Sequence, residues 1–460
     1  NAKENDSLLS EAGEGFKLPE KAQLASWSAR LDNLLNEHSG PQAGIDKHMF
    51  LNIFDRVLEI NKKTVKLPET ILIAQFSEAA LSELDPYTVM VWPRNVEEFD
   101  KLMTNEFTGI GIELSKEKGF LTVLSLLPDT PAYYSGLDAG DVIKAVDGVS
   151  TKDMTLVCAV KKITGPAGTS VILSIQSPGE DDVHDITITR ARITVPTIRG
   201  WKRTPAGRWL YMIDEQNRIG YIRITSFSDN TAEDLEKIVD SLENKGLRGL
   251  ILDLRYNTGG LLSRAIDVAN MYLDDGLIVR TQPRLGMPNW AVAKSRGTHP
   301  DYPLVVLVNS GSASASEIVA GALGDPQHER AVLVGNRTHG KGSVQTIHAH
   351  PGGGAQIKYT MAYYYLPSGQ RVYSREEMES KNREDWGVAP DVKVKLLSFE
   401  QKERVDIQRG NDVLVKEGHD TGQQPLNKYS AEETVDSDPQ LNIGLMIIKA
   451  QLVEKSLNNF

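Results

Sequence analysis

Residues 303–323 constrain the fold most, because three structural signals follow one another there. The continuous apolar run at 303–308 is typical of a strand buried on both faces of a parallel sheet. Small residues at 309–311 then predict a sharp turn. Apolar residues next recur at helical spacing, namely Ala315, Ile318, Val319, Ala322 and Leu323. The stretch therefore predicts a strand, a turn and a helix of an α/β fold.

Three alternating serines, Ser312, Ser314 and Ser316, occupy the start of the predicted helix. Several hydrolase folds present a nucleophilic serine at such a strand-to-helix turn, where backbone N–H groups have no helical partner. A structural explanation also fits, because Ser314 and Glu317 match the capping box S-x-x-E. Taken alone, the stretch favours the cap, and both explanations stay open.

Size and composition bound the function. The 460 residues, 40% of them apolar, can bury a large core and suggest two to four domains. A net charge of −11 without a dense basic stretch argues against nucleic-acid binding and against an anionic membrane surface. The sequence contains no uninterrupted run of about 18 apolar residues, so it predicts no transmembrane helix. The chain begins at Asn1 with polar residues and shows no signal-peptide pattern, so this end does not indicate a compartment.

The only cysteine, Cys158, excludes an intramolecular disulfide. It lies among apolar residues of a predicted helix at 154–163, so we expect a buried structural cysteine.

Changes in pattern divide the chain into four regions. Residues 1–106 show helical spacing, 107–195 show short strands with Gly/Pro turns, and 196–395 alternate strands with helices after a bridging segment. Within 396–460, the polar part to residue 437 is expected to be loop or partly disordered. A terminal helix that docks on protein should follow, with the apolar stripe Leu441, Leu445, Ile448 and Leu452.

The second region resembles a PDZ domain. The motifs that carry this resemblance are Gly109-Ile110-Gly111-Ile112, Ser135-Gly136-Leu137, Gly140-Asp141 and Gly165-Pro-Ala-Gly168. Successive N–H groups at 109–112 can form a nest for a terminal carboxylate, and the edge strand after them can accept an added strand. Ile110, Ile112 and the 154–163 helix would then flank an apolar pocket. A small β-barrel with glycine-rich turns and no ligand is the alternative.

Lys341 lies in a glycine-rich turn, Gly340-Lys341-Gly342. The turn nearly matches a P-loop, but Gly342 replaces the Mg²⁺-binding hydroxyl and a strand pattern follows, which disfavours nucleotide binding. A lysine can instead activate a serine hydroxyl if burial lowers its pKa from about 10.4 towards about 7–8. Gln345 could orient the amine through its amide oxygen without adding charge.

Together, the Ser314–Glu317 and Gly340–Gln345 stretches resemble the C-terminal processing peptidases, the PDZ-containing tail-specific serine proteases. Four further motifs follow the order of that family: Leu84-Asp85-Pro86-Tyr87, Asp253–Gly260, Tyr365–Gly369 and Gly387–Val392. The sequence departs from the family pattern in two places. The separation of 27 residues between Ser314 and Lys341 is about two residues longer than expected, and Thr164 stands where many relatives carry arginine.

The resemblance implies a multidomain α/β (α+β) protein. Its parts would be a helical N-terminal region, a PDZ β-barrel-like domain, an α/β protease core of ClpP/crotonase-like type and a C-terminal helical extension. It implies a serine endopeptidase that binds free, apolar C-termini of protein or peptide substrates, without cofactor or metal. It also implies an extracytoplasmic bacterial compartment, with the periplasm as our expectation, or a plastid lumen. Apolar surfaces at both ends of the chain allow self-association.

The resemblance also implies roles for single residues. Ser314 would be the nucleophile, Lys341 the general base and Gln345 the residue that orients the lysine. Backbone N–H groups of an oxyanion hole would come from Ala315 and from a glycine of the pair Gly259 and Gly260. Thr338 and Glu317 would support the site, unless they serve only turn and cap chemistry.

Two other functions stay open. The chain could be a non-catalytic PDZ scaffold or a pseudo-protease adaptor, although retention of Ser314, Lys341 and Gln345 favours the enzyme. His348 and His350 could be metal ligands on one strand face, but no third ligand at obvious spacing accompanies them.

Overall fold

The computed structural model of the protein describes residues 19–38, 46–93, 95–96, 99, 106–117, 119–349, 354–414 and 428–458. Two compact units are present. The first unit combines the described residues of Asn1–Val96 with those of Gln345–Thr360, and the second combines those of Glu97–Val344 with those of Met361–Phe460. The division into four regions at 106, 195 and 395 stays a prediction.

The helices are α1 (Lys21–His38), α2 (Lys47–Lys63), α3 (Glu69–Ser82), α4 (Pro131–Tyr134), α5 (Leu156–Ile163), α6 (Thr231–Glu243), α7 (Leu262–Asn270), α8 (Ala315–Leu323), α9 (Arg375–Glu379), α10 (Ser398–Asp412), α11 (Ala431–Asp436) and α12 (Pro439–Asn458). The strands are β1 (Val89–Val91), β2 (Glu106–Gly109), β3 (Ile112–Glu117), β4 (Phe120–Leu126), β5 (Val142–Val146), β6 (Val149–Ser150), β7 (Ser170–Gln176), β8 (His184–Thr189), β9 (Ala191–Thr194), β10 (Ile198–Arg199), β11 (Lys202–Arg203), β12 (Trp209–Leu210), β13 (Met212–Asp214), β14 (Ile219–Ile224), β15 (Gly249–Asp253), β16 (Leu277–Pro283), β17 (Asn289–Val292), β18 (Leu304–Val308), β19 (Val332–Gly335), β20 (Ser343–Ala349), β21 (Gln356–Tyr365) and β22 (Val392–Lys393).

The first unit is mainly helical, as its apolar spacing predicts. Helix α2 begins after Asp46, whose carboxylate accepts the Met49 N–H at 2.8 Å and so caps the helix. Phe76 of α3 lies between two aromatic rings of α2, with centroid distances of 4.9 Å to Phe50 and 4.7 Å to Phe54. Strand β1 pairs antiparallel with the first residues of β21.

A six-stranded sheet of the second unit, in the region that resembles a PDZ domain, has the order β3-β4-β5-β7-β8, with β6 paired to β5. Its apolar core gathers the inward residues of these strands with Ala159 and Ile163 of α5. Strand β3 lies at the end of the sheet, and one of the two edges of β3 pairs with β4. The other edge of β3 has no strand partner among the residues that the structure describes, and strand addition requires such an edge.

A seven-stranded sheet forms the rest of the core, in the order β10-β14-β15-β18-β19-β22 with β13 paired to β14. Strands β14, β15, β18, β19 and β22 run parallel. Alternate side chains of β15 and β18 enter different apolar clusters: Leu252 and Val306 pack with α6, α7 and α8, whereas Ile251 and Val305 pack with α12. Burial on both faces explains the uninterrupted apolar runs.

Helix α12 docks on this sheet as its predicted stripe indicates. Leu441, Leu445 and Ile448 are 2%, 4% and 0% exposed and join the cluster of Ile251 and Val305. None of the helices in the described part of the chain combines the length and apolarity that crossing a membrane requires.

The prediction of a buried Cys158 is wrong, because its side chain is exposed. Helix α5 has eight residues and buries only Ala159 and Ile163, one turn apart. Cys158 precedes Ala159 and therefore lies on the outer face.

The prediction of loop or disorder in the polar segment 396–437 is wrong for α10 and α11, while 415–427 lie outside the described residues. Long-range polar contacts stabilise α10. Asp412 accepts two hydrogen bonds from Arg223 at 2.8 and 2.6 Å, and Gln401 donates to the Tyr256 hydroxyl at 2.9 Å. Local polarity could not reveal such partners.

Docking of α12 can be tested with Ile448→Ala. Removing this fully buried side chain should lower the free energy of unfolding of the second unit by about 2–5 kcal/mol, measured by urea denaturation. Met446→Ala is the matched control on the same helix, because Met446 is 60% exposed and should change stability by less than about 0.5 kcal/mol. Equal stability of the two variants would contradict the docked position of α12.

Candidate active site

The three serines occupy the loop between β18 and α8. Ser314 is half-buried and has φ 55° and ψ −113°, a positive φ that non-glycine residues rarely adopt. Such a conformation costs on the order of 1–3 kcal/mol and persists only where surrounding contacts enforce it. The structure therefore distinguishes Ser314 from an ordinary helix cap, whose backbone is extended.

The two flanking serines are structural. The Ser312 hydroxyl donates to the Leu254 carbonyl oxygen at 2.8 Å and accepts the Asn309 N–H at 3.0 Å. The Ser316 hydroxyl donates to the Asn257 carbonyl oxygen at 2.8 Å. Both serines are 0% exposed. Of the three, Ser314 alone is partly accessible.

The buried Glu317 carboxylate connects the serine loop to the lysine turn. Oε2 accepts the backbone N–H of Ser314 and that of Lys341, both at 2.8 Å. Oε1 accepts the Gly340 N–H at 2.7 Å and the Thr338 hydroxyl at 2.6 Å. Glu317 is 0% exposed, so these hydrogen bonds replace the hydrogen bonds to water that the carboxylate loses on burial. One side chain thus positions the main chain at both predicted catalytic residues.

The predicted capping box is present in part of its usual form. The Glu317 carboxylate accepts the Ser314 N–H, while the Glu317 N–H donates to the Ser314 main-chain carbonyl oxygen at 2.8 Å. The Ser314 hydroxyl makes no side-chain cap hydrogen bond. The cap and the nucleophile are therefore compatible, because the cap relies on Glu317 and not on the hydroxyl.

Two glycines allow the lysine turn to lie close to the neighbouring chain. A Cβ on Gly340, where φ is +92°, would lie 2.4 Å from the Tyr373 carbonyl oxygen, and one on Gly342 would lie 1.9 Å from that of Val372. The two glycines that nearly match a P-loop motif are therefore needed because the lysine turn packs closely against residues 372 and 373. Half-buried Lys341 also accepts a hydrogen bond at its carbonyl oxygen from the Tyr364 hydroxyl at 2.7 Å.

Sequence reasoning assigned no role to Tyr364, which is 1% exposed. Its hydroxyl also lies 3.3 Å from the Ser314 carbonyl oxygen and 3.4 Å from Glu317 Oε2. The aromatic pattern of the strand indicates burial but cannot reveal this partner, because Tyr364 lies 50 residues from Ser314.

Backbone donors surround Ser314. The N–H groups of Ala315 and Gly260 make no hydrogen bond to any residue that the structure describes, whereas the Gly259 N–H donates to Asn257 Oδ1 at 2.9 Å. Gly259 lies so close that an added Cβ would come within 2.8 Å of Ser314 Cβ. In this conformation, Ala315 and Gly260 are the available donors of the predicted set.

Asn257 holds the glycine turn against the serine helix. It is 0% exposed, and its side-chain amide donates to the Ile224 carbonyl oxygen at 2.9 Å. Its own carbonyl oxygen accepts the Ala313 N–H at 3.0 Å and the Ser316 hydroxyl. The motif Asp253–Gly260 contains Asn257, but the sequence did not indicate that it binds three segments.

A buried ionic cluster precedes the same turn. Asp253 accepts hydrogen bonds from Arg255 and from the Tyr221 hydroxyl, and Arg255 also donates to Asp438 at 2.9 Å and 2.7 Å and to Gln440 at 3.0 Å. Burial opposes ionisation of Asp253, but the charge and hydrogen bonds of Arg255 outweigh it and lower the pKa of that carboxyl. The C-terminal extension thereby contacts the base of the glycine turn.

Gln345 belongs to the first unit. It is half-buried on β20, and its side-chain Nε2 donates to the Thr360 hydroxyl oxygen at 3.2 Å. The Thr360 hydroxyl in turn donates to Asp85 at 3.0 Å.

The predicted carboxylate loop of the PDZ domain has a suitable backbone. Gly111 has φ +89°, and the N–H groups of Ile110 and Gly111 have no acceptor within the described residues. Ile110 is 1% exposed and belongs to the core, whereas Ile112 is half-buried. Helix α5 packs beside β3 and leaves Leu156, Val157 and Val160 exposed by 40%, 67% and 42%. These apolar side chains form the α5 face.

Potential metal ligands lie elsewhere. Asp240, Glu243 and His299 bring ligand atoms within 4.8 Å of one another, the one such grouping among the residues described, and could hold a divalent cation. His348 stacks on Tyr359 with a centroid distance of 6.1 Å, and His350 lies outside the described residues.

Known proteins resemble this chain over most of its length. Residues 218–394 match peptidase family S41, and residues 98–176 match the PDZ domain. The carboxy-terminal-processing protease of Bartonella bacilliformis is 34% identical over 414 residues, which cover 88% of each chain. The chain belongs to peptidase family S41. A carboxyl-terminal-processing protease of Synechocystis is 36% identical and covers 70% of this chain and 71% of its own.

Carboxy-terminal processing protease CtpA of Bacillus subtilis is 34% identical over 339 residues, which cover 74% of this chain and 66% of its own. This S41 chain is a serine peptidase of the C-terminal processing type with a PDZ domain. These matches confirm the family resemblance, the fold class and the enzymatic activity that the sequence predicted. They favour the hypothesis of an active peptidase over that of a non-catalytic scaffold.

The Glu317 arrangement generates a test. In Glu317→Gln, an amide NH₂ replaces one acceptor oxygen and faces N–H or O–H donors, and each unmet buried bond costs about 1–3 kcal/mol. We expect a lower melting temperature and a loss of peptidase activity of about 100-fold. Glu236→Gln on the exposed face of α6 removes the same charge and should change neither quantity. A fully active Glu317→Gln enzyme would show that the carboxylate does not maintain the site.

Proposed function

We propose that this peptidase cleaves with a Ser314–Lys341 dyad. The observation that carries the proposal is the Glu317 carboxylate, which binds the backbone N–H of both residues. Two segments held by one carboxylate can keep a nucleophile and a base in a fixed relation. The exposed part of Ser314 and the buried, bonded state of Ser312 and Ser316 support the choice among the three serines.

In the proposed reaction, the Ser314 hydroxyl oxygen attacks the scissile carbonyl carbon while its proton moves to the neutral Lys341 amine. The tetrahedral oxyanion accepts hydrogen bonds from the Ala315 N–H and from a glycine N–H of the 259–260 turn. Collapse breaks the C–N bond, and the Lys341 ammonium returns the proton to the leaving amine. Water then hydrolyses the acyl ester by the same two steps, with the same lysine as base.

Gly260 is our choice for the glycine donor, because the Gly259 N–H donates to Asn257. Each oxyanion donor typically contributes about 3 kcal/mol to transition-state stabilisation. Gly259 then serves close approach to Ser314. Thr338 supports the lysine turn through Glu317.

Gln345 is proposed to orient Lys341. It follows the lysine by four residues, and its amide oxygen can accept a hydrogen bond from the amine without adding a charge that would raise the lysine pKa.

The PDZ domain is proposed to bind the C-terminal tail of the substrate. The available N–H groups of Ile110 and Gly111 suit a terminal carboxylate, the outer edge of β3 suits strand addition, and the α5 face suits apolar side chains. The substrates would be protein or peptide chains with free, apolar C-termini. As the resemblance to the C-terminal processing peptidases implies, we place the enzyme in the periplasm, and we expect that it can self-associate.

The dyad predicts the behaviour of two variants. Ser314→Ala and Lys341→Ala should each lower hydrolysis of an unfolded reporter with an apolar C-terminus by at least about 10³-fold, since either change removes the covalent route. Ser310→Ala, in the same loop but exposed, and Lys402→Ala, on the exposed face of α10, are the matched controls and should retain activity. Full activity of either dyad variant would refute the mechanism.

Tail recognition predicts a separate effect. Val157→Glu places a carboxylate on the α5 face, where it would repel a substrate carboxylate and oppose apolar contact. We expect kcat/KM to fall about tenfold for a reporter with a free apolar terminus, with little change once that terminus is amidated. Val183→Glu is the control, because Val183 is 51% exposed and lies outside α5. Equal cleavage of free and amidated reporters by the unsubstituted enzyme would argue against tail capture.

A further inference from the structure

The motif Leu84-Asp85-Pro86-Tyr87 has no part in the dyad, yet its aspartate ends a chain of hydrogen bonds that starts at Gln345. Gln345 Nε2 donates to Thr360 Oγ1 at 3.2 Å, and the Thr360 hydroxyl donates to Asp85 Oδ1 at 3.0 Å. All three residues belong to the first unit and are half-buried. Gln345 and Thr360 lie 15 residues apart on the consecutive strands β20 and β21, whereas Asp85 lies 275 residues before Thr360.

We propose that Asp85 and Thr360 are positioning residues that fix the amide of Gln345 with its oxygen directed away from Thr360, as the acceptor for a cationic or amine donor. This inference rests on the proposed role of Gln345 towards Lys341. It assigns to the Asp85 motif a function in the reaction in addition to ending a helix.

The argument depends on the direction of each hydrogen bond. An ionised carboxylate only accepts, and a threonine hydroxyl has a single proton. Thr360 must therefore give its proton to Asp85, which leaves its oxygen able only to accept. Gln345 must present its NH₂ group to that oxygen, because its carbonyl oxygen would face a lone pair there. The charge on Asp85 thus selects one of the two amide orientations of Gln345.

The surroundings keep Asp85 ionised. Burial opposes the charge, but hydrogen bonds from the Thr88 hydroxyl, the Tyr87 N–H and the Thr360 hydroxyl outweigh burial and lower the pKa of the carboxyl. The Thr88 hydroxyl donates to Asp85 Oδ2 at 2.6 Å, and its oxygen accepts the Thr360 N–H at 3.2 Å. Asp85 therefore orders both threonines in the same sense, and Thr360 is held at its main chain and its side chain.

The chemical consequence concerns a lysine base. Lysine nitrogen is a donor when charged, so a fixed amide oxygen holds the ammonium in one place and returns the amine to that place after proton transfer. With the amide reversed, its NH₂ would instead donate to the lone pair of the neutral amine. That lone pair is the one that must accept the serine proton.

Thr360→Val tests the relay, because valine has nearly the shape of threonine without the hydroxyl. We expect kcat for an unfolded reporter to fall about tenfold with KM unchanged. The rising limb of the pH–rate profile should move to lower pH, since a reversed amide disfavours the lysine ammonium. Thr360→Ser keeps the hydroxyl and should restore both the rate and the profile. A Thr360→Val enzyme with unchanged kcat and profile would overturn the proposal.

Asp85→Asn tests the origin of the order. Asparagine can donate as well as accept, so the direction of the Thr360 hydroxyl is no longer imposed, and the same fall in kcat is expected. A purely structural role for Asp85 predicts that the loss of activity follows the fall in melting temperature. It also predicts that Thr360→Ser loses as much activity as Thr360→Val. That pattern would also overturn the proposal.

A double-mutant cycle separates the relay from the dyad. In a Gln345→Ala background, Thr360→Val should cause no further loss, because the residue on which it acts is gone. Additive losses would overturn the relay while leaving the proposed function intact. Full activity of Gln345→Ala would overturn both the relay and the assigned role of Gln345, whereas full activity of Lys341→Ala would refute the dyad itself.

Discussion

The Glu317 carboxylate is the interaction on which the rest of the site depends. Ser314 follows a parallel strand and Lys341 lies in a turn packed on residues 372–373, so no continuous element joins them. Main-chain bonds to one buried carboxylate replace that missing element. Because backbone N–H groups are the donors, the relation between the loops does not require any particular side-chain rotamer of the serine or the lysine.

The sheet decides where such a site can form. Strands β15 and β18 are parallel neighbours, and each ends just before a loop of the site. The carboxyl ends of parallel strands meet at one edge, which is where α/β folds place ligands. The Asn257 and Ser316 hydrogen bonds then tie the two loops together, and the Arg255 cluster connects the glycine turn to residues preceding α12. Helix α12 therefore supports the site by its polar N-terminal contacts as well as by apolar packing.

The sequence predicted those parts of the fold that arise from local periodicity. The strand, turn and helix at 303–323 and the apolar stripe of α12 follow spacing that burial enforces on neighbouring residues. Helix α10 was not predicted, because its hydrogen-bond partners Arg223 and Tyr256 are distant from it in the sequence. Cys158 was placed wrongly because an apolar neighbourhood normally implies burial. Here the apolar side chains beside it on α5 remain exposed, as a surface for binding a peptide would require.

The candidate site shows the same limit in sharper form. Motif order singled out Ser314, Lys341 and Gln345, but motif letters do not specify which atoms pair. Glu317 looked like one half of a capping box, and its pairing with Lys341 depends on a turn that returns 24 residues later. Tyr364 and Asp85 gave still weaker signals, since a tyrosine in a strand and an aspartate before proline have ordinary structural explanations. What distinguishes them is hydrogen-bond direction: a carboxylate that only accepts imposes order on every hydroxyl and amide linked to it, and that order exists only once distant segments meet.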